Sequence, residues 1–289
     1  MTILVTHWDT DGIFCLYLFY KKFGEDIKVY FSGPRKIETT LLKIIKENDK
    51  EEALYITDIA ATQEAIYLSS YFKSVIWIDH HVWNDMEFTS RVKIYVKSYK
   101  SAARVVAEYF GIEDPYLDFV DHIDSNQIEN DIERDFRDLV VAIRNEYPKS
   151  YEVWFKDIAK KLYNGKSPDD IIREYKSLLS RFREFLRKVE DTVVLNTKLV
   201  KVGNSEFFIV NTQYNVPSFY IVEILQKRLK PELDYIIILY GDRAEIRTTN
   251  NKNVLTIAKI FGGGGHEFAA GFMIQNEDEL IKKLRDIFK

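Results

Sequence analysis

The sequence of 289 residues holds a single cysteine, Cys15. That excludes an internal disulfide and any metal cage built from thiolates. It also has no long hydrophobic run. Its apolar stretches, such as residues 236–239, fall far short of the roughly 20 residues a membrane-crossing helix needs, so no membrane partner is expected. Positive charge is not in excess: the formal net charge is −4, where a protein gripping long nucleic acid is usually basic. The Lys/Arg cluster over residues 173–188 is interleaved with Glu174 and Glu184 and reads as a solvated helix face. The first residues show neither a basic start nor a small-residue cleavage site. No signal peptide is therefore expected, and a cytoplasmic location follows by default.

What is present suits a soluble globular chain, with 46% hydrophobic and 30% charged residues. Short β-branched runs at 3–6, 27–31, 53–57 and 75–78 alternate with helically spaced segments at 13–23, 36–47 and 63–72. Such alternation predicts βαβ units and a largely parallel sheet. Helices are expected at 101–110 and 116–123, and residues 134–189 are almost purely helical in pattern. Pro168, followed by Asp169 and Asp170, marks a helix start there. Beyond Asn196 the character changes. Residues 198–202 and 207–211 flank Gly203-Asn204 as a hairpin. A helix (218–229), strands (235–240 and 244–248), a glycine-rich loop, a strand near 272–274 and a helix (278–288) follow. The expected fold is α/β: a parallel-sheet domain with a helical connector over 1–190, then a smaller α/β domain over 191–289.

Three acidic or histidine-bearing clusters each begin where a predicted strand stops. They are His7-Trp8-Asp9-Thr10-Asp11-Gly12, then Asp58, then Asp79-His80-His81. Ligands bind beyond the carboxyl ends of strands in an open α/β sheet, so these residues are drawn to one rim. His7, Asp9 and Asp11 converge if their loop stays extended, because residues two apart then point the same way. Carboxylates at that density repel one another unless cations neutralise them. Imidazole and carboxylate ligands without sulfur suit divalent cations, manganese or magnesium first, with cobalt, iron or zinc possible. Asp58 taken alone reads more simply as a helix N-cap; the coincidence of three clusters at three strand ends argues for a metal site.

These residues resemble motifs I to III of the DHH phosphoesterase superfamily. The run Gly262-Gly263-Gly264-Gly265-His266, with Ala269, Ala270 and Gly271 after it, resembles the signature of that family's accessory DHHA1 domain. The resemblance implies that His7, Asp9 and Asp58 hold one metal. Asp11, Asp58, His80 and a fourth-motif aspartate would hold the other, with Asp58 bridging. Asp124, which precedes Ser125, fits the fourth motif better than Asp121. His81 would contact the scissile phosphate, and Asp79 would orient the neighbouring imidazoles. Gly12 stands where the family carries glycine. Arg247 stands where the family places an arginine that grips substrate phosphate, and Gly262 to His266 would cradle substrate. Ser101 and Arg104, at a helix start, are further phosphate-binding candidates.

The chain has room for a DHHA1 domain and no additional oligonucleotide-binding fold. With its acidic balance, that favours hydrolysis of short single-stranded RNA or DNA to mononucleotides. Alternatives are a cyclic-dinucleotide or 3′-phosphoadenosine 5′-phosphate hydrolase, or a non-catalytic replication-associated scaffold, which would be expected to have lost metal ligands. A homodimer is left open.

Overall fold

The first strand, β1 (Thr2–His7), is apolar and buried along residues 3–5, as a strand covered on both faces should be. It leads into α1 (Thr10–Phe23), and then β2 (Lys28–Ser32), α2 (Ile37–Glu47), β3 (Ala53–Thr57), α3 (Gln63–Ser69), β4 (Ser74–Asp79) and β5 (Val92–Val96) follow. In this computed structural model the five strands form one parallel sheet of order β2-β1-β3-β4-β5. The strand order reverses between β1 and β3, which creates a crevice beyond their carboxyl ends. The structure describes residues 1–83, 85–214, 216–229 and 232–288, and of His266 the backbone only.

Six helices complete this part of the chain: α4 (Ala102–Phe110), α5 (Leu117–Asp124), α6 (Asp131–Glu146), α7 (Tyr151–Tyr163), α8 (Pro168–Glu174) and α9 (Lys176–Leu195). At α8 the Ser167 hydroxyl accepts the Asp170 N–H, and the Asp170 carboxylate accepts the Ser167 N–H. With Pro168 in the first turn, this capping box is why the helix begins where its sequence predicts. The chain separates into two compact units, residues 1–182 and 183–289, the divide falling within α9.

The second unit has its own sheet, of order β10-β11-β9-β8-β7-β6. Its elements are β6 (Thr197–Val202), β7 (Ser205–Asn211), α10 (Ser218–Arg228), β8 (Tyr235–Tyr240), β9 (Arg243–Arg247), α11 (Leu255–Ile260), β10 (Gly264–His266), β11 (Ala269–Met273) and α12 (Glu277–Ile287). All pairings are antiparallel except β7 with β8. Phe207, Ile237, Ile246, Leu280 and Leu284 centre its core. The hairpin expected around Gly203 is β6–β7, and Gly203 takes the left-handed φ of 56° that such a turn needs.

Two local expectations change. Strand β5 is not among the predicted strands, although Val92, Ile94 and Val96 alternate with Lys93 and Tyr95; it is half exposed and lies at the sheet edge. Helix α1 starts at Thr10, not near residue 13, so the motif after β1 is not extended. No helix among the described residues is long and apolar enough to cross a membrane.

The first core is anchored by Trp77, which is fully buried on β4 and donates its Nε1–H to the Ile59 carbonyl at 2.7 Å. Trp77→Ala is expected to cost about 3–5 kcal/mol in chemical denaturation, since it opens a cavity and strands a buried acceptor. A loss below about 1 kcal/mol would contradict this packing.

Candidate metal centre

The turn out of β1 sets the site. Asp9 is the N-cap of α1, with one carboxylate oxygen accepting the Gly12 N–H at 3.0 Å. Its other oxygen lies 2.5 Å from His7 Nδ1. Gly12 is obligatory on steric grounds, because a Cβ there would sit 2.0 Å from the His7 carbonyl oxygen. His7, Asp9 and Asp11 therefore converge through a tight strand-to-helix turn, not through an extended loop. Beneath it the Thr57 hydroxyl donates to Thr6 Oγ1 at 2.9 Å, and Thr6 donates to the Gly12 carbonyl at 3.2 Å, which ties β3 to the turn.

Asp11 is buried in the first turn of α1, and its carboxylate accepts the N–H groups of Ala102 (2.6 Å) and Ala103 (2.8 Å) at the start of α4. Asp58 follows β3 with a left-handed φ of 59°, which is costly for a residue with a Cβ and typical of functional positions. It does not cap α3; Thr62 does, accepting the Ala65 N–H. One oxygen of Asp58 lies 3.6 Å from His80 Nε2 and the other 3.9 Å from His7 Nδ1. His80 Nδ1 faces the Tyr99 carbonyl at 3.2 Å, leaving Nε2 turned toward Asp58, Asp124 (3.6 Å) and Asp11 (4.0 Å).

The potential ligand atoms thus form two triads, His7–Asp9–Asp58 and Asp11–His80–Asp124, and a third group, Asp58–Asp79–His80–His81, with Asp58 Oδ1 also 3.6 Å from the His80 of the second triad. Asp124, at the end of α5, faces this cluster, whereas Asp121 accepts from the Ser101 hydroxyl and Arg104 Nε. Asp79 is buried and accepts from Trp83 Nε1 and from His81 Nδ1, each at 2.7 Å. No signal in the sequence singles out Trp83 as a partner.

Does this donor set fit cations? Asp58 Oδ2 is buried and has no hydrogen-bond partner. An orphaned carboxylate oxygen at the centre of the cluster is the expected mark of a group arranged for a positive charge. The acids agree. Burial and the charge of Asp9 push Asp11 up to about 8, against its backbone donors. Burial and neighbouring aspartates hold Asp58 and Asp124 well above the usual carboxylate range. Asp9 goes the other way: burial would raise it, but His7, the Gly12 N–H and Arg144 together hold it low. Burial and the charge of His81 lower His80. Burial opposes the charge on His81, yet its hydrogen bond to Asp79 prevails and keeps it above the ordinary histidine value.

Other candidates are placed differently. Ser101 is fully buried; its hydroxyl caps α4 and donates to Asp121 at 2.5 Å. Arg104 is engaged by Asp121 (2.6 Å) and Asp118 (2.5 Å). Both are committed to contacts within the protein. In the second unit, Arg247 ends β9 and its Nε donates to the Ser218 hydroxyl at 2.9 Å. The glycine run is partly sheet: Gly264 and Gly265 pair with Gly271 and Ala270 across β10–β11. A Cβ on Gly263 would meet the Gly271 carbonyl at 2.1 Å, and Gly265 adopts a φ of 141°. Within the run a Cβ would meet nothing at Gly264, nor at Gly262, whose φ of 73° would still strain a side chain. The His266 side chain lies outside the described residues.

No family model matches the chain. A curated relative, oligoribonuclease NrnB of Bacillus subtilis (strain 168), is 22% identical over 95% of this chain and 73% of its own length. Among solved structures, the pGpG-specific phosphodiesterase PggH from Vibrio cholerae is similar over 100% of this chain and 99% of its own, with a TM-score of 0.67 and 18% identity. RecJ of Thermus thermophilus, solved in complex with Mn2+, is similar over 99% of this chain and 51% of its own, at a TM-score of 0.59 and 14% identity. The fold is that of these solved structures, and the motifs at the strand ends and in the glycine run resemble those of DHH phosphoesterases with a DHHA1 domain.

The raised carboxylates predict a pH signature. Their folded-state pKa values lie above the unfolded value of about 4, so metal-free stability falls as pH climbs from there through about 8. A bound cation reverses that trend, because it needs the deprotonated ligands. The rise in Tm on adding manganese is therefore expected to be larger at pH 8 than at pH 5.5. Equal shifts at both would contradict the arrangement.

Proposed function

We propose that the chain is a two-metal phosphodiesterase that hydrolyses short single-stranded oligonucleotides to mononucleotides, acting in the cytoplasm. The observation that carries this reading is the bridging position of Asp58 between the two triads, one oxygen toward His7 and the other toward His80. His7, Asp9 and Asp58 would hold one cation, and Asp11, Asp58, His80 and Asp124 the other. When bound, a metal pair supplies an activated water and neutralises charge on the phosphoryl oxygens. Manganese is the favoured ion, on the carboxylate–imidazole donor set and on the Mn2+ named for the RecJ structure.

The protein's own groups do the rest. Asp79 fixes the tautomer and orientation of His81, and that hydrogen bond favours the protonated ring against the cost of burial. His81 is thereby suited to donate a hydrogen bond to a phosphoryl oxygen or a proton to the leaving oxygen. Arg247 and the open backbone at Gly264 are the second unit's candidates for holding substrate phosphate.

Short substrates are favoured by the acidic balance of the chain and by the relatives' names, one an oligoribonuclease and one specific for pGpG. A cyclic-dinucleotide or 3′-phosphoadenosine 5′-phosphate hydrolase would use the same centre. The test is hydrolysis of end-labelled RNA and DNA, from dinucleotides to long oligomers, with manganese. The fastest turnover is expected on the shortest oligomers, with Asp58→Ala lowering it at least about 1,000-fold, on the order of 4 kcal/mol of transition-state stabilisation. Faster cutting of long strands would move the reading to a RecJ-like exonuclease, and an active Asp58→Ala would refute the bridging role.

A further inference from the structure

Next to the metal cluster lies a cation that none of the assigned roles uses. Arg144 sits in the last turn of α6, partly buried, with its guanidinium carbon 5.7 Å from the ring centroid of Trp8. Trp8 is the residue between His7 and Asp9. Its ring is held in place: a Cβ on Gly33 would lie 2.5 Å from Trp8 Cη2 and Cζ2, so the indole sits flush against bare backbone at the end of β2. Lys36 lies against the same ring, its Nζ 5.7 Å from the centroid.

The Arg144 guanidinium makes no hydrogen bond and no ion pair with any described residue. Asp9 is near enough to feel its charge, but the Asp9 oxygens are occupied by His7 and the Gly12 N–H. A partly buried guanidinium with five donors and no acceptor among the described residues is left open to a ligand, and its planar fork pairs bidentately with a carboxylate or a phosphate, the second being the anion that a phosphodiester substrate brings. Stacking on a fixed indole pre-orders it, so less entropy is lost on binding.

We propose that Arg144, laid against Trp8, forms a subsite for a second phosphate group of the substrate, adjacent to the one being cleaved; the inference rests on the phosphodiesterase reading above. It makes Arg144 a specificity-determining residue that distinguishes substrates with two or more phosphates from simple diesters. A charge that merely complements the end of α6 would need no planar fork, and Arg144→Lys separates the two roles.

The experiment compares a 5′-phosphorylated diribonucleotide with bis(p-nitrophenyl) phosphate, which carries one phosphate, using the manganese-loaded full chain. Arg144→Met is expected to raise KM for the dinucleotide about ten- to a hundredfold more than for the simple diester, with kcat changing less, and Arg144→Lys to recover only part. Equal losses on both substrates would show that Arg144 acts through Asp9 and the metal centre, and would overturn the subsite. No change on either would overturn it as well, while leaving the hydrolase intact. Binding of adenosine 3′,5′-bisphosphate by calorimetry covers the remaining case. If the wild type cuts neither substrate but Arg144→Met weakens that binding about tenfold or more, the subsite stands and the hydrolase reading falls. If binding is also insensitive, both fall.

Discussion

The structure depends on a repulsion. Asp11, Asp58 and Asp124 are brought together around His80, two of them buried and each held above its usual pKa by burial and by neighbouring carboxylates. Backbone N–H groups and His81 offset that charge only in part at Asp11, and the buried Asp58 Oδ2 is left without a donor. A fold under no functional demand would not keep such a cluster, since an uncompensated buried charge costs several kcal/mol. Divalent cations convert the same arrangement from a liability into a binding site, because the desolvated carboxylates then face a charge of opposite sign.

The rest of the first unit delivers those side chains. Reversal of strand order between β1 and β3 opens the crevice, the Gly12 turn folds His7, Asp9 and Asp11 over it, and a left-handed Asp58 aims one oxygen at each triad. Backbone donors at the start of α4 hold Asp11 in place, and the Tyr99 carbonyl turns His80 Nε2 inward. These contacts stand behind the candidate ligands and help bring together residues spread over more than a hundred positions of sequence.

Much of this was legible beforehand. Strands of the parallel sheet announce themselves as β-branched runs, and the acidic clusters at their ends follow from the chemistry alone. What could not be read was set by three-dimensional neighbours. The turn at Thr10 is decided by the contact between Gly12 and the His7 carbonyl, whereas β5 does carry the alternation Val92, Ile94, Val96 in a short, half-exposed edge segment. Ser101 and Arg104 looked like phosphate ligands from their helix-start position, but Asp121, twenty and seventeen residues later, occupies them. Arg144 showed no signal at all, since its meaning depends on Trp8 lying against it and on its having no partner among the described residues. In the second unit the glycine run has a packing reason at Gly263 and Gly265, which sequence alone does not separate from a binding reason at Gly264.

The central claim is that one carboxylate, Asp58, joins two cation sites. The measurement that tests it most directly is the number of manganese ions bound per chain, counted by calorimetric titration of metal-free protein and checked by elemental analysis after desalting. The account predicts two ions for the wild type, and for Asp58→Asn weakened binding at both sites while the fold is retained. A single ion per chain in the wild type, or loss of only one ion in Asp58→Asn with the other bound as tightly as before, would contradict it.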